Sequence, residues 1–289
     1  MILYYLYRVS AFVALVVPLK VSYFFAYLIA CICHRIYGDS REAVYSNLKV
    51  VMGGSYDDKK LRSMTKKVFI NFAKYLVDFF RFSIMDAEYI KKFVKVEGLS
   101  YIDAARSKGK GVILLSAHIG NWELGGLVMA RLRSPVSAVV LAHKNKKIND
   151  FFTKQRLVAN FKPIEIGMAL RECFSVLKNN GLLALLGDRD FSKSGIHTEF
   201  FGKPALIPKG PAVFSCRLGS AIVPVFMIRE QDDTFRLIIE KPIYPDGSTC
   251  EEESIKKIMK EYSAVIESFV GRYPDQWYMF RKAWNGHAG

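Results

Sequence analysis

A histidine and a glutamate near the end of a short apolar run have the spacing of a general-base pair. His118 follows the apolar segment 111–117, and Glu123 lies five residues further along the chain. A carboxylate that accepts a hydrogen bond from one imidazole nitrogen fixes the tautomer and leaves the other nitrogen free to take a proton. With a substrate hydroxyl in place of the serine, this is the activating half of a Ser-His-Asp relay. We therefore predict that Glu123 orients His118, which must lie in a turn before the next helix.

The spacing alone is weak evidence, because it occurs a second time at His34 and Asp39. That second pair follows an apolar N-terminal segment and has no strand before it, so its spacing is interpreted as chance. The segments around His118 must therefore decide whether the first pair is functional.

Further polar residues that could contact a substrate lie in or after predicted elements. The guanidinium of Arg156, in a helical stretch, could bind a phosphate or a carboxylate with two hydrogen bonds, or could lie in solvent. Asp188, Arg189 and Asp190 follow the end of an apolar strand. Carboxylates beside an arginine could orient a donor or an acceptor, or could form an internal salt bridge. We predict that these residues bind substrate.

Two glycine-containing segments and one asparagine complete the candidate substrate-binding set. Phe201 and Gly202 could allow close approach of the backbone to a substrate, because glycine lacks a Cβ atom, or the phenylalanine could belong to the core. Lys209 and Gly210 begin a predicted helix, whose free N–H groups and nearby ammonium attract phosphate, although a plain turn and cap would look the same. Asn121 is the expected cap of the helix after His118.

The elements that position these residues alternate between short apolar runs and helical stretches. Continuous apolar strands separated by helices indicate an α/β fold with a mixed, largely parallel central sheet flanked by helices, in which chemistry gathers at the strand ends. The predicted strands are 111–117, 136–142, 182–187, 221–228 and 235–240, and the predicted helices are 99–108, 122–133, 147–161, 169–179 and 254–270, preceded by amphipathic helices over 40–95.

The N-terminal segment 1–33 is almost entirely apolar, with Pro18 and Lys20 near its middle. It lacks a small-residue cleavage site after its apolar run, so we expect it to remain in the mature protein. It predicts an N-terminal membrane helix that either spans the bilayer or lies at its surface, with an ordinary buried helix as the alternative. The expected organisation is a membrane anchor over 1–36 and a catalytic domain over 37–289.

The overall charge favours anionic partners. The chain has 42 Lys and Arg against 27 Asp and Glu, which gives a formal net charge of +15. No nucleic-acid-binding motif accompanies this charge, so we expect an acidic membrane surface or an acidic carrier protein and no nucleic acid. The five histidines and five cysteines are scattered without the spacing of metal ligands, so we predict no metal site.

Five segments of the sequence resemble, in order and spacing, the late lipid A biosynthesis acyltransferases (lauroyl and myristoyl transferases) of the lysophospholipid acyltransferase superfamily. The likeness covers about residues 40–284. The segments are SAHIGNWELGG at 116–126, GDRDF at 187–191, EFFGKP at 199–204, IPKGPAVFSCRLGSAIVPVF at 207–226 and YPDQWYMFRKAW at 273–284.

This resemblance implies a glycerolipid acyltransferase-like fold and a catalytic HX4E motif formed by His118 and Glu123. It implies transfer of an acyl chain from acyl carrier protein, or from coenzyme A, to a hydroxyl of a lipid A precursor or a related membrane glycolipid or phospholipid. It also implies action at the cytoplasmic face of a bacterial inner membrane, without a metal or another cofactor. The chain departs from the family near His143, where the second conserved block often carries an arginine.

Two other functions are considered for the same residues. A metal-dependent hydrolase could use His118, Asp188 and Asp190, although it needs more clustered ligands than scattered histidines provide. A non-catalytic module could bind anionic lipid through its positive charge. The discriminating observation is whether His118 lies at a cleft or in packed apolar surroundings.

Overall fold

The computed structural model describes residues 1–53, 56–166, 169–191, 194–246 and 252–284. Cys250, one of the five cysteines, lies outside the described residues. The strands are β1 Val94–Glu97, β2 Val112–Ser116, β3 Val136–Val140, β4 Phe161–Glu165, β5 Leu182–Leu186, β6 Ile196–Phe200, β7 Lys203–Ile207, β8 Ala221–Arg229 and β9 Phe235–Ile239. The helices are α1 Ile2–Val16, α2 Leu19–Ile36, α3 Gly38–Val51, α4 Asp58–Phe80, α5 Ala87–Phe93, α6 Leu99–Arg106, α7 Trp122–Leu132, α8 Lys146–Val158, α9 Ala169–Lys178, α10 Gly210–Leu218 and α11 Glu252–Arg272.

A seven-stranded sheet in the order β1-β9-β8-β2-β5-β3-β4 forms the centre of the structure. Its neighbouring strands are parallel except for the antiparallel pair β8 and β9. The α/β fold with a mixed, largely parallel sheet is therefore confirmed. All five predicted strands are present, whereas β1, β4 and the separate hairpin β6-β7 were not predicted.

The central strands are apolar because both faces of the sheet are covered. On β2, Leu114 packs in the cluster on one face, while Ile113 and Leu115 pack in the cluster on the other. This alternation follows from the two-residue repeat of a strand. β2 pairs in register with β8 on one side and with β5 on the other, so the residues that follow these strands emerge at the same edge.

The apolar N-terminal segment folds as two helices rather than one. Pro18 separates α1 from α2, because proline has no N–H to continue the hydrogen-bond ladder. Ala14 of α1 belongs to the main core cluster and Ala30 of α2 packs in a cluster with α4, but the outward side of both helices is apolar and exposed, with Phe12 at 67% exposure. By length and composition α2 is able to cross a membrane, and 22% of it is buried.

Candidate active site

The turn that carries His118 is held tightly between β8 and the C-terminal segment. The carbonyl oxygen of His118 accepts a hydrogen bond from the backbone N–H of Tyr278 at 2.8 Å, and the N–H of Gly120 donates to the carbonyl of Gln276 at 2.9 Å. Gly120 has a φ of +59°, and a Cβ atom at this position would lie 2.0 Å from the carbonyl oxygen of Met227. Only glycine fits here, so the turn predicted between the strand and the helix has a defined steric basis.

Asn121 caps α7, as the sequence predicted. Its side-chain oxygen accepts a hydrogen bond from the N–H of Leu124 at 3.0 Å, and its amide nitrogen donates to Asp78 at 2.9 Å. The residue is 1% exposed, so both ends of the side chain are occupied inside the protein. Its predicted contact with a substrate stays a prediction.

The carboxylate that holds the imidazole of His118 belongs to Asp188. Nδ1 of the ring lies 2.9 Å from Oδ1, and the backbone N–H of His118 donates to Oδ2 at 3.0 Å. Trp277 donates a third hydrogen bond to the same carboxylate, from Nε1 to Oδ2 at 2.9 Å. The contact follows from the sheet register, because Ser116 pairs with Leu186 and the two functional residues each follow two positions later.

This environment determines the protonation of the pair. Burial alone would raise the pKa of the Asp188 carboxyl, but the charge of His118 and the hydrogen bonds from His118 and Trp277 hold that pKa below its usual value. An ionised carboxylate only accepts hydrogen bonds, so Nδ1 donates its proton to Asp188; when the ring is neutral, the free lone pair is therefore on Nε2. The side chain of His118 is 15% exposed, and no described residue forms a hydrogen bond with Nε2. The ring is therefore arranged to accept a proton from outside the protein.

Glu123 does not hold the ring of His118, and the sequence prediction of that contact is corrected. Its carboxylate accepts hydrogen bonds from Arg156, from Nε to both oxygens at 3.0 Å and from Nη2 to Oε1 at 2.5 Å. Burial would lower the pKa of Arg156, but the charge of Glu123 raises it overall. Arg156 was predicted to bind a phosphate or a carboxylate of the substrate, but in the structure its guanidinium binds the protein's own carboxylate through two nitrogens. The pair joins the first turn of α7 to α8.

An apolar cavity of about 60 Å³ borders Glu123 beneath α7. The hydroxyl of Ser116 is buried in its wall and has no hydrogen-bond partner among the described residues. The other wall residues are mostly aliphatic or small and come from β2, β3, β4, β5, β8 and α7; they include Leu114, Gly125, Met129, Ala138, Val140, Ala184, Val225 and Met227. Hydrocarbon is the chemical group that such walls accommodate.

A second cavity, of about 380 Å³ and lined by both charged and apolar side chains, borders Asp188. Arg189 and Asp190, two of the predicted substrate-binding residues, line it. Oδ2 of Asp190 accepts a hydrogen bond from the N–H of Gly195 at 2.7 Å. The structure thus places these residues beside the His118 pair.

The other predicted substrate contacts lie in a hairpin and at a helix start. Phe201 and Gly202 form the two-residue turn between β6 and β7, with φ values of 51° and 69°. Such a turn requires positive φ at both positions, which explains the glycine without a ligand. Lys209 precedes the first residue of α10, Gly210, so the predicted helix start is confirmed. Ligand roles for these residues stay predictions.

Sequence reasoning missed a buried polar network beside the site. Asp78 accepts hydrogen bonds from Tyr23 of α2, from Asn121 and from Arg229 at the end of β8. A signal existed, because Asp78 is the one acidic residue in the apolar stretch 69–80. Trp277, in the C-terminal segment 273–284 that resembles the family, lies in the core at 2% exposure.

Metal ligation was a further question for the carboxylates near His118. In the part of the chain that the structure describes, no three His, Cys, Asp or Glu side chains form a group that could hold a metal ion.

Comparison with known proteins relates nearly the whole chain to one family. The model for bacterial lipid A biosynthesis acyltransferases matches residues 1–285. The phosphatidylinositol mannoside acyltransferase of Mycolicibacterium smegmatis is 25% identical over 218 residues, which cover 74% of this chain and 70% of that protein. The lipid A biosynthesis palmitoleoyltransferase of Escherichia coli is 28% identical over 191 residues, which cover 65% of this chain and 60% of that protein.

Proposed function

Since the chain belongs to the bacterial lipid A biosynthesis acyltransferase family, we propose that it transfers a fatty acyl group from a thioester of acyl carrier protein, or of coenzyme A, to a hydroxyl of a membrane lipid. The relatives are acyltransferases of lipid A biosynthesis and of phosphatidylinositol mannosides, which supports a lipid A precursor or a related glycolipid or phospholipid as the acceptor.

The observation that carries the mechanism is the orientation of His118. Its Nδ1 is bound to the buried carboxylate of Asp188, and its Nε2 is free at the edge of the sheet. In the proposed reaction, Nε2 takes the proton of the acceptor hydroxyl while the hydroxyl oxygen bonds to the thioester carbonyl carbon. The carbon–sulfur bond then breaks, and the departing thiolate takes the proton from the imidazolium. The ring ends as it began, and no acyl-enzyme is formed.

We assign Glu123 a positioning role in this reaction. Its carboxylate is 4% exposed and bound by Arg156 from α8, so it anchors the first turn of α7 directly after the turn that carries His118. A displacement of about 1 Å at a reacting group is enough to lower a rate strongly. Both members of the HX4E motif thus contribute to the same proton transfer: His118 accepts the proton from the substrate, and Glu123 holds the backbone that positions His118.

The apolar cavity beneath α7 is proposed to receive the methyl end of the acyl chain. It begins beside Glu123 and is enclosed by aliphatic and small side chains, including Ala138, Ala184 and Met129. Burial of hydrocarbon contributes about 25 cal/mol per Å² of apolar surface, so a longer buried chain binds more tightly until the cavity is filled. The depth of this cavity would then limit the chain length of the donor.

The N-terminal helices are proposed to attach the protein to the cytoplasmic face of a bacterial inner membrane. Ile2, Phe12 and Val16 of α1 and Phe24 and Ile36 of α2 are all more than half exposed. An apolar surface of this kind is expected to insert into lipid. The net charge of +15 supports attraction to an anionic leaflet and to an acidic carrier protein.

The test of this function is transfer of radiolabelled acyl groups by the full chain in detergent micelles. Acyl carrier protein and coenzyme A thioesters are offered in parallel with lipid A precursor, phosphatidylinositol mannoside and lysophospholipid acceptors. We expect His118→Ala to lower kcat by about 10²- to 10⁴-fold. His34→Ala is the matched control, because His34 has the same spacing to an acid and lies in the N-terminal region.

Two results contradict the proposal. One is a His118→Ala variant that keeps most of the wild-type rate. The other is a wild-type protein that binds the lipids but transfers no acyl group from either thioester, which is the behaviour of a non-catalytic lipid-binding module.

A further inference from the structure

The second cavity, beside Asp188, has an excess of positive charge among its lining residues. It lies between the hairpin β6-β7 and the C-terminal segment 279–284, and its volume is about 380 Å³. Four cationic side chains line it: Arg189, Lys203, Arg281 and Lys282. Its acidic lining residues are Asp188 and Asp190.

The acidic residues of this cavity are engaged elsewhere. Both oxygens of Asp188 accept hydrogen bonds from His118 or Trp277, and Asp190 accepts one from the N–H of Gly195. Across the described ranges, none of the four cations forms an ion pair with a carboxylate. Their charge is therefore available for a group from outside the protein.

Two of the cations, Arg189 and Arg281, line the same cavity. Arg189 is half-buried, and its guanidinium lies 4.3 Å from the ring centre of Phe191, which fixes its position. Burial and the charge of Arg281 lower the pKa of Arg189, while Asp188 acts in the opposite direction. Two guanidinium groups that repel each other are stabilised together when an anion binds between them.

Arg189 lies near the proposed general base. The ring centres of His118 and Phe191 are 6.2 Å apart, and the guanidinium of Arg189 is 4.3 Å from the same phenylalanine. Because both distances end at the ring centre of Phe191, the guanidinium of Arg189 can lie no further from the ring centre of His118 than the two distances added together. An anion bound here would therefore belong to one of the two substrates that react at His118, the acceptor lipid or the thioester donor.

We propose that this cavity binds a phosphate ester of one of the two substrates, with Arg189 and Arg281 as its principal ligands and Lys203 and Lys282 at its rim. The proposal rests on the proposed acyl transfer and specifies which chemical group the substrates must carry. Arginine matches phosphate oxygens with paired N–H donors, and the cavity is large enough for a phosphate with the group that carries it. The phosphate could come from the headgroup of the acceptor lipid or from the pantetheine arm of the thioester donor.

Binding of two pairs of soluble probes tests the proposal and identifies the source. The full chain in detergent micelles is titrated with glycerol 3-phosphate against glycerol, and with 4′-phosphopantetheine against pantetheine, by saturation-transfer NMR. We expect the wild type to prefer the phosphorylated member of at least one pair by about tenfold or more, because hydrogen bonds to charged groups are strong. A preference in the glycerol pair assigns the phosphate to the acceptor, and one in the pantetheine pair assigns it to the donor.

The variants are Arg281→Gln and Arg189→Gln, each expected to lower that preference by about tenfold. Arg281 is exposed, so its replacement is not expected to disturb folding. Arg217→Gln is the matched control, because Arg217 is an exposed arginine in the last turn of α10 and is not among the residues that line this cavity. Absence of a phosphate preference in both pairs, its persistence in both cavity variants, or its equal loss in Arg217→Gln would overturn the proposal.

The result is independent of catalysis. His118→Ala is expected to lower the rate of transfer strongly but to keep the phosphate preference. If it keeps transfer, the proposed general base is wrong while the anion site is still tested by the binding data. If transfer depends on His118 but no phosphate preference exists, the anion site alone is wrong.

Discussion

The side-chain amide of Asn121 donates a hydrogen bond to the carboxylate of Asp78 over 2.9 Å, with both groups buried. Asn121 caps the helix that follows His118, while Asp78 also binds Tyr23 of α2 and Arg229 of β8. One carboxylate therefore joins the N-terminal apolar helix to the turn of the proposed general base. We therefore expect a substitution of Tyr23 in α2 to change the position of the turn that carries His118.

Tyr23→Phe is expected to destabilise the protein and to lower kcat. The hydroxyl of Tyr23 donates to Asp78 at 2.5 Å and accepts from Arg229 at 2.9 Å. Its removal takes one hydrogen bond from each of these two buried charged groups, which is expected to lower the free energy of unfolding by about 1 to 3 kcal/mol. Thermal unfolding and steady-state kinetics in detergent measure the two effects. The control is Tyr45→Phe, since Tyr45 donates to Asp58 at the same distance but at the surface, where water replaces the lost hydrogen bond. Equal destabilisation by both variants would contradict the coupling.

Asp188→Asn is expected to lower kcat by about 10²- to 10⁴-fold with a smaller change in KM. An amide in this place can donate to Nδ1, which would move the ring proton to Nε2 and remove the base. Steady-state rates at saturating donor and acceptor measure the loss, and circular dichroism checks the fold. Retention of most of the wild-type kcat would show that another carboxylate orients His118.

The lowered pKa of Asp188 predicts that the stability of the protein depends on pH. Asp188 has a pKa below its usual value, whereas in the unfolded chain an aspartate titrates near about 3.9. Between these two pKa values the unfolded state binds more protons, so the stabilisation is complete above about pH 4 to 5 and is lost as the pH falls through the folded-state pKa.

Unfolding of the wild type and of Asp188→Asn between acidic and neutral pH isolates this contribution. The stability difference between the two proteins is expected to shrink as the pH falls below about 4. Asp150→Asn is the control at an exposed aspartate of α8. A difference that stays constant down to the lowest pH would argue against an ionised Asp188.

The Glu123 and Arg156 pair predicts strong coupling between two substitutions. Glu123→Gln leaves a buried guanidinium without a counter-charge and is expected to destabilise by about 3 to 5 kcal/mol, whereas the addition of Arg156→Met should restore most of the stability. Chemical unfolding of the single and double variants gives the coupling energy. The exposed pair Asp103 and Arg133 is the control, with an expected coupling of about 1 kcal/mol or less.

Activity of the double variant tests the positioning role of Glu123. A folded double variant that regains transfer supports positioning through the Arg156 contact. A folded double variant that stays inactive would show that the carboxylate of Glu123 takes part in the chemistry itself.

The strands that the sequence predicted correctly are those made of uninterrupted apolar residues. β2 and β8 are apolar along their length because both faces are covered, so they were recognised. β1 has the sequence VKVE, in which two charges interrupt a four-residue strand, and it was missed.

The partner of His118 was missed for a different reason. Asp188 lies 70 residues away in sequence, and only the pairing of β2 with β5 brings their ends together. Spacing within one segment favoured Glu123, but the direction of a side chain at the start of a helix depends on what packs against it. Here that neighbour is Arg156, from a helix whose position the sequence does not reveal.

Two glycines have the same backbone conformation, but we expect their substitution by alanine to destabilise the protein to very different extents. Gly120 and Gly202 have φ values of +59° and +69°, so alanine is strained at either position by about 1 to 2 kcal/mol. At Gly202 no atom lies within 4 Å of an added Cβ, whereas at Gly120 the carbonyl oxygen of Met227 would lie 2.0 Å away. We expect Gly202→Ala to fold with that modest loss, and Gly120→Ala to lose far more stability together with transfer activity. Thermal unfolding and transfer assays of the two variants check this, and equal effects would show that the His118 turn is not sterically clamped against β8.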